Sequence, residues 1–495
     1  MKRIALLAVA LVGLAWAQTG TLELAVDQSP VGLDPHKVTA FASFAVIGQV
    51  YDGLLEINAD LQLEPALASS YEISDDGLVY TFTLREGVVF HNGRPFGADD
   101  VVYSLERILD PETGSPQASR FDQVASAEAV DERTVVFTLN EPFAPFLANM
   151  PNLYVVAREV VEEHGDLQQV AVGTGPFRLV EVVPDTYLRL EANQAYYRPE
   201  QPGVAGLRYN VVPEGSTRAA GLRTGTYHLL PDVDPTTAVT LRAAPSVTVL
   251  EVPGLSYTLL GFNTTRPPFD DPLVRHAINL ALDREELVEA VFLGNAVPAG
   301  PLSDALADWT LPTDEFPCYT YDPEAARALL ADAGHPDGVA FTILTFGTRR
   351  DVADTAQVVQ AQLERAGMQV EVNVAEFGTF VQDWQNSNFD AFVSLNAGSI
   401  DPDGYMHRTF ISGGSTNVFL YSDPDVDELL ARGRTTADVA ARQDIYAELQ
   451  RALACEGPVA HLNHGTLFSA HRDEVEGFQQ IATGSLRYLR YATLR

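Results

Sequence analysis

The residues best equipped for chemistry are few and scattered. His461-Leu-Asn-His464 spaces two imidazoles at i and i+3, which on a helix could hold a metal. The surrounding apolar–polar alternation reads as strand instead, where i and i+3 face opposite sides, so no metal site is expected there. Asp401-Pro-Asp403-Gly404 has the start of a calcium loop but lacks the later ligands and the closing glutamate, so it reads as a tight turn. His91, His276 and His335 fall in turn or surface contexts. There is no Gly-x-Ser-x-Gly elbow, no His-Glu-x-x-His and no Cys-x-x-Cys. The lysines are Lys2 and Lys37, and neither lies in a glycine-rich phosphate loop, so a Walker A site is excluded. No catalytic residue, metal or cofactor is expected. A secreted hydrolase, the alternative from the enzyme class, would need a nucleophile and a base that the sequence does not assemble.

Hydrophobic periodicity supplies the elements that would position a site. Residues 78–90 and 134–140 alternate as half-buried strands, and Val101, Val102, Leu105, Ile108 and Leu109 form a helical face stopped by Asp110-Pro111. These suggest a small α+β unit over 58–172. Asp271-Pro272 and Asp283 with Glu286 cap two successive helices, the second as a capping box ended by Gly294. A further helix starts at Asp322-Pro323 and ends near Gly334. Residues 339–346, a helix carrying Val352, Thr355, Ala356, Val359, Leu363 and Ala366, and residues 368–374 make a strand–helix–strand unit, which requires parallel pairing.

The length of 495 residues suits about three domain-sized units. Lys2-Arg3, an apolar run to Trp16 and the small residues of Ala15-Trp16-Ala17 read as a signal peptide over 1–17, with Gln18 as the new terminus. No cysteine adjoins that site, so a lipid anchor is not expected and a periplasmic location is. Removing Lys2 and Arg3 leaves 30 basic against 67 acidic residues, 30 − 67 = −37. Such a surface repels nucleic acid and anionic lipid. Cys318 and Cys455, an even pair in an exported chain, read first as a disulfide, with two free buried thiols as the alternative.

Several longer stretches share an order. Phe90-His-Asn-Gly-Arg-Pro-Phe-Gly-Ala-Asp-Asp-Val-Val-Tyr-Ser-Leu-Glu-Arg107, Gly173-Thr-Gly-Pro-Phe177, Asn193 with Tyr196-Tyr197, the segment from Gly261 to Gly294, and Asp322-Pro-Glu-Ala-Ala-Arg-Ala-Leu-Leu330 follow one another. Together they closely resemble the bacterial extracellular solute-binding proteins of family five, the oligopeptide/dipeptide-binding group of ABC importers. The resemblance implies an α/β, two-lobed periplasmic-binding-protein fold (type II, cluster C) with an extra α+β domain in the first lobe. On that pattern the first lobe takes 18–57, 173–262 and 466–495, the extra domain 58–172, and the second lobe 263–465. The strands crossing between lobes are expected around 259–263 and 462–468. The chain would be a monomer that captures a small ligand by lobe closure and delivers it to a membrane permease with a separate ATPase.

The resemblance also points to ligand-binding positions. Peptide-binding relatives carry an aspartate three residues before the Asp401-Pro402 step, to pair with the ligand's ammonium; here that position is Gly398. A dipeptide-binding relative holds the ligand carboxylate with an arginine where this chain has Ala353 or Asp354, although Arg349 and Arg350 lie just before and could either substitute or be solvated. Phe44, Tyr51, Trp309, Trp384, Tyr405 and Phe410 fall near the expected cleft segments. Trp384 and Tyr405, with Phe44, Asn396, His407, Asn417 and Arg349, are the expected ligand contacts. A peptide is the first expectation for the ligand. Oligosaccharides, nickel chelates and glutathione are the alternatives within the family, and a ligand-presenting sensor would share the fold.

Overall fold

The computed structural model describes residues 19–347 and 349–495, so the leader expected over 1–17 lies outside the described residues. The chain enters with β1 (Thr19–Val26) and α1 (Phe41–Val50). A four-stranded antiparallel sheet follows, of β2 (Ala68–Ile73), β3 (Val79–Leu84), β4 (Val124–Asp131) and β5 (Thr134–Leu139), with α2 (Ala98–Leu109) between β3 and β4. Tyr80, Phe82 and Leu84 bury one face of β3 at period two. The strand expected to run on to Phe90 stops at Leu84, because the chain turns at Gly87, whose φ of 74° suits glycine. β6 (Phe177–Val183), β7 (Tyr187–Ala192), β8 (Val204–Val211), α3 (Gly215–Thr224) and β9 (Leu229–Leu230) complete this half, with β8 and β9 parallel to β1 on either side.

The second half opens with β10 (Val247–Phe262), α4 (Pro272–Leu280), α5 (Arg284–Phe292) and α6 (Pro323–Asp332). Then come β11 (Ala340–Phe346), α7 (Arg350–Arg365), β12 (Gln369–Ala375), α8 (Phe377–Gln385) and β13 (Ala391–Asn396). It ends with α9 (Asp403–Phe410), α10 (Pro424–Thr435), α11 (Val439–Glu456) and β14 (Val459–Arg472). Asp271, Asp283 and Asp322 cap α4, α5 and α6 through their carboxylates, as the sequence implies. The capping box on α5 is only half made. The backbone N–H of Asp283 donates to Gln362 Oε1 at 3.1 Å, and the Glu286 carboxylate takes Gln362 and Arg365 instead. β11 and β12 pair in parallel around α7, as the strand–helix–strand reading requires.

One sheet of eleven strands runs through both halves in the order β12-β11-β13-β10-β14-β9-β1-β8-β7-β6, with the short strand Ala296–Pro298 beside β14. Its spine is the antiparallel pair β10 and β14. Their register slips between Pro253, opposite Thr466, and Tyr257, opposite His464, so residues 254–256 bulge. This is where β10 leaves one core for the other. Leu255 to Phe262 already pack with the second-half core, so the crossing expected at 259–263 falls several residues earlier. Side chains of the 58–172 unit share one continuous core with β1, α1, β6 and β8. Cys318 and Cys455 are disulfide-bonded, tying the end of α11 to the loop before α6 and setting aside the free-thiol alternative.

The first half closes on a buried ionic knot. Glu56, 2% exposed, accepts from Arg198 at 2.6 Å, Arg487 at 3.0 Å and Arg490 at 2.8 Å. Arg487 also reaches Asp52 at 3.2 Å. Removing one partner of such a group strands the others without water, a loss on the order of 3–5 kcal/mol. Glu56→Ala should therefore lower the melting temperature by many degrees, whereas Arg350→Ala, whose side chain is 92% exposed, should leave it nearly unchanged. Thermal melts followed by circular dichroism compare the two, and equal melting would contradict the central role given to Glu56.

Candidate ligand cleft

The parallel strands β1, β8 and β9 end at one edge, and a cavity of about 260 Å³ opens just beyond their carboxyl ends. That is where ligands lodge in α/β sheets. Asp27 and Gln28 follow β1, Val211 ends β8, and Pro231-Asp232 follows β9. Phe41, Ala42, Ala45 and Val46 face the cavity from α1, and Tyr187, Tyr209 and Arg218 complete the wall. Phe41 is 57% exposed, a large apolar side chain left open at this edge. Phe44, the aromatic expected here, turns inward and stacks on Tyr154 with centroids 6.3 Å apart. The helical spacing of 41, 42, 45 and 46 is the signal that would have selected Phe41.

Asp232 is solvent-accessible, yet the walls around it crowd its carboxylate. Crowding by protein and then the charge of Asp27 raise its pKa, against the pull of Arg218 and Arg349. Arg349 stands at the start of α7 on the opposite half, bidentate to Asp351 at 3.1 and 2.5 Å. It and Asp232 attract each other across the gap. Arg350 pairs with Asp354 in solvent, so of the two arginines it is Arg349 that faces the first half.

The remaining expected contacts lie in the second half and are mostly committed to structure. Asn417 spends both Nδ2 donors on the carbonyls of Ile411 and Tyr421 and accepts from the Tyr421 N–H. Asn396 donates to the Tyr257 hydroxyl at 2.8 Å. Tyr405, 3% exposed, shares a 2.7 Å hydrogen bond with His461 Nε2. His407 lies 3.4 Å from Arg434 Nη1, and burial followed by that charge holds its pKa down to about 4. Trp384 leans half-buried on the second core. Tyr51 and Phe410 are fully buried, and Trp309 packs edge-on to Tyr446, beneath Arg442.

One expectation about chemistry changes. Asp401-Pro-Asp403-Gly404 is the expected tight turn, closed by the Gly404 N–H donating to the Asp401 carbonyl at 3.1 Å; it opens α9 with Pro402 as cap, and Asp401 forms a bidentate pair with Arg442 at 2.6 Å for both bonds. His461 and His464 do not face opposite sides. Leu462 bulges, so His461 aligns with Leu259 and His464 with Tyr257, and both imidazoles pack on the Tyr257 ring at 5.5 and 6.0 Å. Burial keeps both on the neutral side of their usual range. No group of three or more metal-ligating side chains occurs among the described residues.

Gly398 follows β13 and lies against the backbone of Leu255 at the crossing. A Cβ there would sit 2.1 Å from the Leu255 carbonyl oxygen and 2.8 Å from its carbon. Both neighbours are backbone, so no side chain fits.

A family model described as bacterial extracellular solute-binding proteins, family 5 middle, matches residues 62–417. The chain belongs to this family. It is the solute-capturing component of an ABC importer, built on the two-lobed type II α/β fold. The glutathione-binding protein GsiB of Pectobacterium atrosepticum is 29% identical over 477 residues, covering 94% of this chain and 92% of that protein. HbpA2 from Haemophilus parasuis superimposes with a TM-score of 0.87 at 28% identity, over 96% of this chain and all of that one. The periplasmic binding protein DppA from Helicobacter pylori, solved with the peptide STSA, gives a TM-score of 0.79 at 29% identity over 96% of this chain and 98% of that one.

Two outcomes test this geometry. Gly398→Asp should lower the melting temperature through overpacking, a cost of about 1–3 kcal/mol, without raising affinity for any peptide; a stable variant that binds more tightly would contradict it. Burial pushes the Asp403 carboxyl from 3.8 up to about 6, with Arg434 pulling it back from 3.4 Å. Because the folded value lies above the unfolded one, this group takes up a proton on folding, and its contribution to stability falls as pH rises between about 4 and 6. Asp403→Asn should therefore gain on the parent protein across that window in melts run from pH 4 to 8.

Proposed function

We propose that the chain is an exported periplasmic receptor for a short peptide or a peptide-like zwitterion such as glutathione, acting as a monomer. It hands its ligand to a membrane permease with a separate ATPase. The first lobe comprises residues 19–253 and 466–495, with 58–172 inserted as an extra α+β unit, and the second lobe residues 257–464. The observation that carries the ligand reading is the 260 Å³ cavity, which sets carboxylates, a guanidinium and one exposed aromatic ring within a single wall. A zwitterion with an apolar side chain can use all three at once. Arg349 would meet the ligand's negative end as the lobes close, a reading supported by its position before α7 and its attraction to Asp232 across the gap. Relatives named for glutathione and solved with the peptide STSA support the same ligand class. Export is supported by the basic start, apolar run and small residues of 1–17, and no described helix is long and apolar enough to cross a membrane.

The test is a thermal shift on protein unfolded and refolded to strip any ligand carried through purification, probed with trialanine, glutathione, cellobiose and a nickel–histidine complex. A ligand present at a thousandfold over its Kd stabilises by about 4 kcal/mol. Trialanine or glutathione should raise the melting temperature, and a response to cellobiose or nickel–histidine alone would replace this reading. Phe41→Ala should weaken the responding ligand about tenfold by calorimetry, the scale of one buried aromatic contact.

A further inference from the structure

We propose that Arg434 is a latch residue: without touching the ligand, it holds the inserted 58–172 unit against the second half and so sets how readily the two halves part and release what lies between them. This rests on ligand capture by closure of the two halves, and not on the class of the ligand.

Arg434 stands in the last turn of α10, where carbonyls have no partner inside the helix. Its carbonyl accepts at 2.9 Å from the backbone N–H of Ala144, in the loop after β5 of the inserted unit. Its guanidinium carbon lies 4.9 Å from the centroid of the Phe143 ring, a cation–π contact across the same boundary. Phe143 is 4% exposed and packs with the first-half core, so the ring is a fixed seat. One residue of the second half thus meets two consecutive residues of the inserted unit, through main chain and side chain together. β10 and β14 carry the chain between the halves, and none of these three residues lies on them, so bending the ladder at 254–256 moves the contact apart. Leu61 and Ala482 of the first half also lean on the second-half core, so the latch adds a directional polar contact to an apolar one.

The guanidinium is held only loosely from its own side. Its Nε stands 3.4 Å from Asp403 Oδ1, and neither atom has a hydrogen-bond partner among the described residues. Its Nη1 lies 3.4 Å from His407 Nε2, on a ring that burial keeps neutral. Arg442 is the opposite case. It is bidentate to Asp401, and its Nε donates to the Gly433 carbonyl at 2.6 Å, one residue before the carbonyl that Ala144 takes. Arg442 therefore fixes the end of α10 within the second half, and Arg434 reaches across to the other. The Arg434 side chain is already 25% exposed, so water can take over its guanidinium and its carbonyl once the units part. A contact of that kind opens reversibly. It also bears on the gap, because Asp403 begins α9, and the turn before it carries Gly398 against the backbone of Leu255 at the crossing.

The experiment is amide hydrogen exchange, read by mass spectrometry, on refolded ligand-free protein and its Arg434→Met, Phe143→Leu and double variants. Arg432→Met, the same change at an exposed position two residues earlier, is the control. Melting curves first establish that each variant folds. Exchange in the segment containing Ala144 reports opening of the latch, and exchange in β3 reports whether the inserted unit itself stays intact. Arg434→Met and Phe143→Leu should each speed exchange at Ala144 at least fivefold and leave β3 unchanged. The double variant should exchange no faster than the faster single one, and Arg432→Met should match the parent. Parental exchange at Ala144 in both single variants, or equal acceleration in Arg432→Met, would overturn the latch. If Arg434→Met unfolds too readily to be measured, Phe143→Leu tests the same contact from the other half. Stopped-flow release of trialanine or glutathione, whichever raises the melting temperature, gives the second readout. Arg434→Met should raise the dissociation rate at least threefold with the association rate nearly unchanged, and equal dissociation rates would overturn its part in release. If the parent binds neither probe, the ligand reading falls, while exchange at Ala144 alone decides the latch.

Discussion

The pairing of β10 with β14 is the constraint on which everything else hangs. These two strands are the backbone of one sheet that serves both lobes, and each lobe builds outward from its own stretch of the pair. The ladder is not uniform. It is interrupted by the extra residues at 254–256 and again at Leu462, and the second interruption brings His461 and His464 onto one face beside Tyr257. Behind the interruptions lies a buried polar cluster in which Tyr405 bonds His461 and Asn396 bonds Tyr257. Buried polar groups of this kind cost free energy unless their partners are in place, so they favour one geometry at the crossing over its neighbours. Not all are satisfied: Asn463 leaves both ends of its amide without a partner and His464 leaves Nδ1. The crossing between the two cores thus holds four buried polar atoms without a partner among the described residues: His461 Nδ1, both ends of the Asn463 amide and His464 Nδ1.

Both lobes aim the carboxyl ends of their parallel strands into the gap, and the loops that follow those strands carry the groups of interest. On the first lobe these are Asp27 and Asp232; on the second they are Arg349 and Gly398. A second contact between lobes lies away from the cavity. Ala144 of the inserted unit donates to the carbonyl of Arg434 at 2.9 Å, and the Arg434 guanidinium lies 4.9 Å from the Phe143 ring centroid. Opening the cleft widely must break that contact as well as bend the ladder, so the inserted unit helps to limit how far apart the lobes swing.

Local structure is legible in the sequence wherever local chemistry sets it. Asp271-Pro272, Asp322-Pro323 and the apolar period of α7 all sit where propensity and capping place them. What the sequence hides is non-local. It includes Phe44 among the cleft aromatics because it does not show which face of α1 meets the core, where Phe44 stacks on Tyr154 more than a hundred residues away. It sends the two histidines to opposite faces because a bulge depends on the partner strand. Asn417 has the chemistry of an available amide, yet its three bonds go to a loop that only the folded chain brings round it. The absence of an aspartate at 398 is plain from the sequence. That the site physically refuses one, because Leu255 occupies the space, is not.

The knot around Glu56 joins the beginning of the chain to its end. Its arginines at 487 and 490 lie within ten residues of the C-terminus, and Ala470 and Phe468 of β14 fill the core beside β1 and β9. During synthesis, therefore, the first half cannot finish until residues 487–490 have left the ribosome. Long before that, the segment carrying Glu56 and Asp52 has emerged with its counter-charges still unmade, and burying it early would be costly. The same arrangement that locks the finished fold makes the segment around Glu56 wait for partners more than 430 positions further along the chain.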